Sequence, residues 1–550
     1  MEVSRFTRIQ IVGERANIHM KKALALIILL SLLLSSCGFF ENTDEPAIEA
    51  PPSADPFPTD EPGIFSPLPV ISGDGKFSLR YNSAATLNPL VGTDAGNMAL
   101  STLMYEGLFR LKSDFNYDYG LCESFETTDC ITYDFKLRGD IYMSDGSELS
   151  PYDIMYSINT ARTNRFASRL KNVSSVSIVD ASTVRVTLKT ADARFPRLLD
   201  FGIIKDGSSG TSPRGTGPYR YSESENGVAV LIKNEYHTKF AVLPLDIINL
   251  VECADTELGE RFTESIVDLF IDDPNATVAS VRRDHEKRYF NTTVLQYIGF
   301  SSRSSAMVDA RFRAVIQHAV DKDNIVSDIL GGRASVARLA LPSYYKLYDT
   351  TWESGTDQAA LVAMSELLDS IGMQDANNDT YLEYPLMGAY VDVTLVFLVN
   401  SENTARIKAA ETIAARLRRV GICVELTELP FAEYVAALGA GEFDMYYGET
   451  LLPANFDFSE LLSPGGRLDY GNMATEELAA MCGAFLAAWG DFAERNAART
   501  FCQTLALELP FIPVAYKQYA VHSGRNEILG LEPSPSGLFW NIYDWEIEIR

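Results

Sequence analysis

The chain has 550 residues, 46% of them hydrophobic and 22% charged, enough for two or three domains with real cores. A formal net charge of −27 argues against nucleic acid as a partner, because phosphate binding needs clustered Lys and Arg. The cysteines show no Cys-x-x-Cys spacing, which argues against a structural zinc site.

Near the N-terminus, residues 23–34 form the only run apolar enough to enter a bilayer, and it is too short to span one. Lys21 and Lys22 precede it and the tetrad LSSC at 34–37 follows, the layout of a secretory signal. Met20 is the expected start, since MKK then opens an ordinary leader. The tetrad resembles a bacterial lipobox, which implies that Cys37 is diacylated and becomes the mature N-terminus. Residues 37–75 are rich in Pro, Asp, Glu, Ser and Ala without apolar periodicity, and are expected to form a disordered tether. Export would permit a disulfide. Cys122 and Cys130 are placed to face each other across a hairpin. Cys253, Cys423, Cys482 and Cys502 have no evident partner and are expected to be mostly buried thiols.

Ordered chain begins with an alternating strand at 76–81, a loop carrying LNPL at 87–90, and a helix from about Asn97 ending in YEGL at 105–108. Ile131, Tyr133, Phe135 and Leu137 alternate with polar residues, as a half-exposed strand does. SDG at 144–146 is a turn, and Ser150 followed by Pro151 starts a helix with Pro at its first position. Val184, Val186 and Leu188 mark another strand, and GTGPY at 215–219 follows a loop at 203–209. Gly210 and Gly215 cannot be a Walker A loop, because Thr216 stands where the lysine must be.

An apolar run at 294–300 reads as a buried strand. After a polar loop, Asp309 is an N-cap for a helix whose core face is Phe312, Val315, Ile316 and Ala319. A shorter helix carries Ile325, Val326, Ile329 and Leu330, and Gly331 and Gly332 end it. Asp375, Asn377 and Asp379 begin like a calcium loop. Thr380 and Leu386 replace the required Gly and Glu, so a solvated turn is expected. Val391, Val393, Leu395 and Phe397 form a strand. Ser401 is the expected cap of a helix with core face Ile407, Ala410, Ala414 and Leu417, closed by Gly421. A strand through Ile422, Val424 and Leu426 follows. Strand, helix and strand at this spacing predict a right-handed unit and a parallel pair. MYYG at 445–448 is a further strand, and Trp540 and Trp545 are expected to cover the core.

Several segments resemble the family 5 extracellular solute-binding proteins of peptide and nickel ABC importers. These are LNPL with YEGLF at 105–109, YDFKLR at 133–138, SDG, DIMYS at 153–157, GTGPY, RFRAVIQHAVDKDNIV at 311–326, FAEY at 431–434, GEFD at 441–444 and LPFIPV at 509–514. The resemblance implies an α/β, two-lobed periplasmic-binding-protein-like fold of class II (cluster C) type, with mixed sheets, an extra subdomain in lobe 1 and a hinge between lobes. Lobe 1 is expected at 76–300 with the insertion at about 105–214, lobe 2 at 301–502, and a return to lobe 1 at 503–550. It implies cleft residues at Tyr105, Glu106, Tyr447, Glu449, Asn455 and Asp457. Many relatives carry a Trp and an Asp-Pro pair after the strand that enters the cleft, and some use a nearby acid for a peptide ammonium. Here the segment reads GETLLPANFDF at 448–458, without the Trp. Glu449 or Asp457 is the candidate for that acid, and both read equally well as surface or capping acids.

The function implied is capture of a small molecule or peptide for ABC permease subunits, by a monomer lipid-anchored outside the cytoplasmic membrane, with no cofactor or metal. Signal sensing with the same cleft is the alternative. A secreted hydrolase is disfavoured: there is no Gly-x-Ser-x-Gly or His-Glu-x-x-His, and His237, His285, His318 and His522 are scattered. Scattered histidines also favour an organic ligand over nickel.

Overall fold

A computed structural model describes residues 76–272, 281–353 and 361–548. The leader at 1–36, Cys37 and the tether at 37–75 lie outside the described residues. No described helix is long and apolar enough to cross a membrane.

Two long antiparallel strands, His285–Phe300 and Phe511–Gly524, are the middle of an 11-stranded mixed sheet. Each end of this pair serves a different lobe. The Val294 to Phe300 end pairs with Met445–Leu451, followed by Thr394–Asn400 and Cys423–Leu429. At the other end Leu269–Asp272 pairs with Ala520 to Ser523, followed by Ser78–Tyr81, Ile247–Glu252, Ala229–Lys233 and Tyr219–Glu223. One edge of Phe511–Gly524 is thus divided, because Ala334–Val336 occupies it at Ala515 to Lys517. The ladder breaks near the same place. Asn291 faces Gln518 and Leu295 faces Tyr516, so three residues of one strand oppose one of the other.

Local chemistry explains the elements around this pair. Asp94 caps the helix Ala95–Met104 by accepting from the Asn97 N–H at 2.9 Å. Ser150 and Asp153 form a capping box on Pro151–Ala161. That helix packs on the antiparallel four-stranded sheet of the inserted subdomain: Cys122–Glu126, Thr132–Leu137, Thr183–Leu188 and Val173–Ile178. In lobe 2, Asp309 caps Ala310–Ala319, and Gly331 and Gly332 follow the short turns at positive φ. The predicted parallel pair is present as Thr394–Asn400 beside Cys423–Leu429, joined by the helix Thr404–Arg419. The cap of that helix is Asn403 rather than Ser401, its side chain accepting from the Arg406 N–H at 3.0 Å. The first long strand begins at His285, well before the apolar run, because its lobe 1 half leaves one face partly in water.

Tyr297 lies opposite Gly448, and Tyr446 lies opposite Gly299. Each ring covers the facing glycine, and the two hydroxyls meet at 3.2 Å. The six described cysteines are free, including Cys122 and Cys130, and all but Cys423 are buried. Trp545 is in the lobe 1 core, as expected.

A Cβ on Gly448 would stand 2.6 Å from the Tyr297 ring. Gly448→Ala is therefore expected to destabilise the fold by on the order of 1–3 kcal/mol in urea denaturation. An unchanged midpoint would contradict this packing.

Candidate functional site

A cleft lies over the break in the ladder. Its larger part, about 1050 Å³, is floored by Asn291, Thr292, Thr293 and Val294 and walled by the inserted subdomain and lobe 2. A second part, about 570 Å³, extends along lobe 1. Arg165, Phe166, Arg169, Phe290 and Tyr519 line both parts, so the two adjoin along a shared wall.

Tyr105 and Glu106 enter the lobe 1 part from the end of the helix Ala95–Met104. The Tyr105 ring is buried and its hydroxyl donates to the Pro213 carbonyl at 2.9 Å. Glu106 Oε2 accepts from the Thr216 hydroxyl at 3.1 Å, and Oε1 lies 3.6 Å from His237 Nε2. Burial pushes the Glu106 carboxyl up, but His237, Arg110 and Thr216 outweigh it and hold the group below its ordinary value. The GTGPY glycines serve this contact. A Cβ on Gly215 or Gly217 would lie 2.3 Å from the Tyr105 ring or the Met104 backbone respectively. The two motifs are therefore pressed together, and a bound phosphate is not needed to explain the glycines.

Asn455 and Asp457 line the larger part. Asn455 Nδ2 reaches across from lobe 2 to donate to Asp192 Oδ2 at 2.8 Å. Asp457 Oδ1 accepts from the Ser459 N–H at 2.8 Å, as a local cap. Burial pushes the Asp192 carboxyl up to about 6. The Arg194 N–H, the Asn455 side chain and the Arg194 charge oppose this, and the nearby Asp457 charge adds to it. Lys171 of the inserted subdomain also crosses the cleft, pairing with Glu460 and donating to the Ser459 hydroxyl at 2.9 Å.

Tyr447 and Glu449 line neither part of the cleft. Both meet Gln296: the Tyr447 hydroxyl donates to Oε1 at 3.0 Å, and Gln296 Nε2 donates to Glu449 Oε2 at 3.0 Å. Glu449 also pairs with Arg406 at 2.8 Å and faces Lys517 at 3.8 Å. Strand alternation turns these two residues toward the crossing pair. Of the two acids left open by the sequence, Asp457 is on the cleft and Glu449 is committed to two cations.

Asp192, Arg165, Arg169 and Lys171 went unnoticed in the sequence. None stands in a recognisable motif, and their place depends on how the inserted subdomain folds over lobe 2. Trp540 also lines the lobe 1 part of the cleft, so only Trp545 of the pair is wholly a core residue. The carboxylates of Asp375, Asp379 and Glu383 converge within 4.8 Å on the acidic turn. They are engaged by backbone: Asp375 accepts from the Asp379 and Thr380 N–H groups, each at 3.1 Å, and Glu383 from Ala376 at 2.6 Å. That bonding accounts for the turn itself.

The model of the bacterial extracellular solute-binding proteins, family 5 Middle, matches residues 116–465. The oligopeptide-binding protein AppA of Bacillus subtilis (strain 168) is 21% identical over 404 residues, covering 68% of this chain and 70% of that protein. The glutathione-binding protein GsiB of Shigella flexneri is 25% identical over 278 residues, covering 47% of this chain and 54% of its own length. The structure of Bacillus subtilis AppA with a nonapeptide superposes with a TM-score of 0.61 at 18% identity, over 86% of this chain and 99% of that one. NikZ from Campylobacter jejuni with Ni(L-His) gives 0.63 at 18% identity, over 86% and 100%. These likenesses carry the two-lobed fold.

Asp192 supplies a pH test. Its folded value of about 6 lies above the ordinary value near 4, so between them the folded protein keeps a proton that the unfolded chain has lost. This contribution to stability grows as pH falls from 7 toward 4 and is lost as pH rises through the folded value. Asp192→Asn removes it. The stability difference between wild type and variant is expected to change by roughly 2–3 kcal/mol across that range. A constant difference in denaturation at each pH would contradict the burial of a titrating group.

Proposed function

The chain belongs to the bacterial extracellular solute-binding proteins of family 5, and on that premise we propose that it captures a short peptide, or a solute of similar size, for an ABC importer. The observation that supports this reading is the cleft itself. About 1050 Å³ lies over a break in the two strands that join the lobes, with polar side chains converging from both sides. Clefts of this size bury most of a small ligand. Two of the relatives fit this reading: one is named for oligopeptides and was solved with a nonapeptide, another for glutathione.

Capture needs no covalent chemistry. It needs a ligand that gains more contacts when the lobes meet than when they part, since only differential affinity moves such an equilibrium. Asp457 is our candidate for a ligand ammonium. It borders the cleft, its Oδ1 accepts from the Ser459 N–H and from the Cys482 thiol, and no described cation pairs with it. Cys37 would carry the lipid, residues 37–75 would give reach, and the monomer would meet its permease at the outer face of the membrane.

Peptides with a free N-terminus are expected to bind, and Asp457→Ala is expected to cost on the order of 2–5 kcal/mol of that binding. Native mass spectrometry of protein purified without denaturation, followed by calorimetry with free and N-acetylated peptides, checks this. Equal affinity for both forms would sink the Asp457 assignment. Cys37→Ser should move the protein from the membrane fraction to the soluble exported fraction. Retention at the membrane would overturn the anchor.

A further inference from the structure

Three consecutive residues of the inserted subdomain, Asp192, Ala193 and Arg194, dock onto lobe 2. Asp192 Oδ2 accepts from Asn455 Nδ2 at 2.8 Å. The Ala193 N–H donates to the Leu486 carbonyl at 2.8 Å. Arg194 Nη1 donates to the Phe485 carbonyl and, at 3.3 Å, to that of Leu486. Its guanidinium lies 4.0 Å from the Phe485 ring centroid. Both carbonyls belong to the last turn of the helix Glu476–Ala487. There no further turn supplies N–H groups, and a cation meets the negative end of the helix dipole. Asp192, Asn455 and Leu486 line the larger part of the cleft, so the docked segment is part of its wall.

Two features make this a contact that can part. Arg194 Nη2 is buried without a partner, a cost that exposure to water removes. The second is the Asp192 carboxyl, whose residue is 1% exposed. Burial pushes it up to about 6; the Arg194 N–H, Asn455 and the Arg194 charge oppose this, and the Asp457 charge adds to it. The other groups around it keep their state near neutral pH. From the inserted sheet, the Tyr133 hydroxyl donates to the Asp192 carbonyl at 2.6 Å, and the Cys130 carbonyl accepts the Asp192 N–H at 2.9 Å. Burial raises both of their side chains. From lobe 2, the Cys482 thiol meets Asp457 and is raised in the same way. Lys171 and Glu460 pair with each other across the same wall. In water the Asp192 carboxyl returns to its ordinary value near 4, so the docked form holds a proton that the parted form loses.

We infer that the segment from Asp192 to Arg194 is a latch on the cleft wall, parting from lobe 2 without unfolding either lobe and holding more firmly at acidic than at neutral pH. This rests on contacts between the lobes and not on which solute is captured, so it stands or falls apart from the peptide reading. The contribution of Asp192 to the latch is lost as pH rises through its docked value. Between pH 5 and pH 7 the equilibrium for parting is expected to rise about tenfold.

Hydrogen exchange of the full mature chain, read by mass spectrometry and corrected for the intrinsic effect of pH, tests this. Residues 190–198 are expected to exchange faster than the strands Thr132–Leu137 and Met445–Leu451, and to lose about tenfold in protection from pH 5 to pH 7. Asp192→Asn should abolish that pH dependence. Asp457→Asn, which removes the neighbouring charge, should move its midpoint to lower pH. Asn455→Ala should lower the protection of 190–198 at both pH values and leave the two strands unchanged. Thermal unfolding of each variant identifies any that fails to fold; if Asp192→Asn does, the midpoint in Asp457→Asn decides. Exchange of 190–198 only in step with the strands would overturn the latch, since the segment would then part only by unfolding. A pH dependence that persists in Asp192→Asn, or a midpoint unmoved in Asp457→Asn, would overturn the role of the Asp192 carboxyl.

Discussion

Everything in this molecule hangs on one antiparallel pair, His285–Phe300 with Phe511–Gly524. A continuous ladder along that pair would weld both lobes into a single stiff sheet. Instead the register slips between Asn291 and Leu295, and the outer edge of the second strand changes partner between Lys517 and Ala520. The two half-sheets are therefore joined by backbone where backbone pairing is weakest. The same slip frees Thr292, Thr293 and Val294 to form the cleft floor. The break in the ladder and the cleft floor are thus consequences of one irregularity.

The lobe 2 side of the slip is fastened by polar groups. Gln296 lies on one crossing strand and Lys517 on the other. Both reach Glu449, which Arg406 approaches from the helix Thr404–Arg419. A half-buried charge of this kind costs desolvation and is held by several partners. Its benefit here is geometric, because it ties the helix and three strands together beside the slip. An acid so engaged is a poor candidate for meeting a ligand. Asp457, beyond the end of the same strand, accepts from the Ser459 N–H and from the Cys482 thiol and forms no ion pair with a described cation.

The scaffold was legible in the sequence wherever one local rule sufficed. Asp309, Ser150 with Pro151, and Gly421 marked helix ends through chemistry that acts within a few residues. Asn403 in place of Ser401 shows the resolution of such rules, since either side chain can accept an N–H. Alternation found Tyr133, Phe135 and Leu137 because only one face of that strand is buried. It missed residues 285–293, where the strand leaves its apolar partners and both faces are mixed. The cleft was less legible. Tyr105 and Glu106 came through the YEGLF motif, whereas Asp192, Arg165 and Lys171 reach the cleft only because distant segments fold against one another. Tyr447 and Glu449 show the opposite failure: the right strand does not fix which face of it the cleft uses.

Contacts between the lobes complete the energetic argument. Phe115, at the tip of a lobe 1 hairpin, is buried against Phe456 and Tyr344 at ring distances of 5.4 and 5.9 Å. Arg194, from the same lobe, lies over Phe485 at 4.0 Å and donates to Tyr345 and to backbone carbonyls at the end of the helix Glu476–Ala487. Phe115 contributes apolar burial whenever the lobes touch. Arg194 contributes less, since no described carboxylate forms an ion pair with it and its Nη2 is buried without a partner. The contact between the lobes thus combines an apolar anchor with a guanidinium whose hydrogen bonds and ring contact offset part of its desolvation cost. A ligand moves an equilibrium between arrangements of the lobes only by making better contacts in one of them.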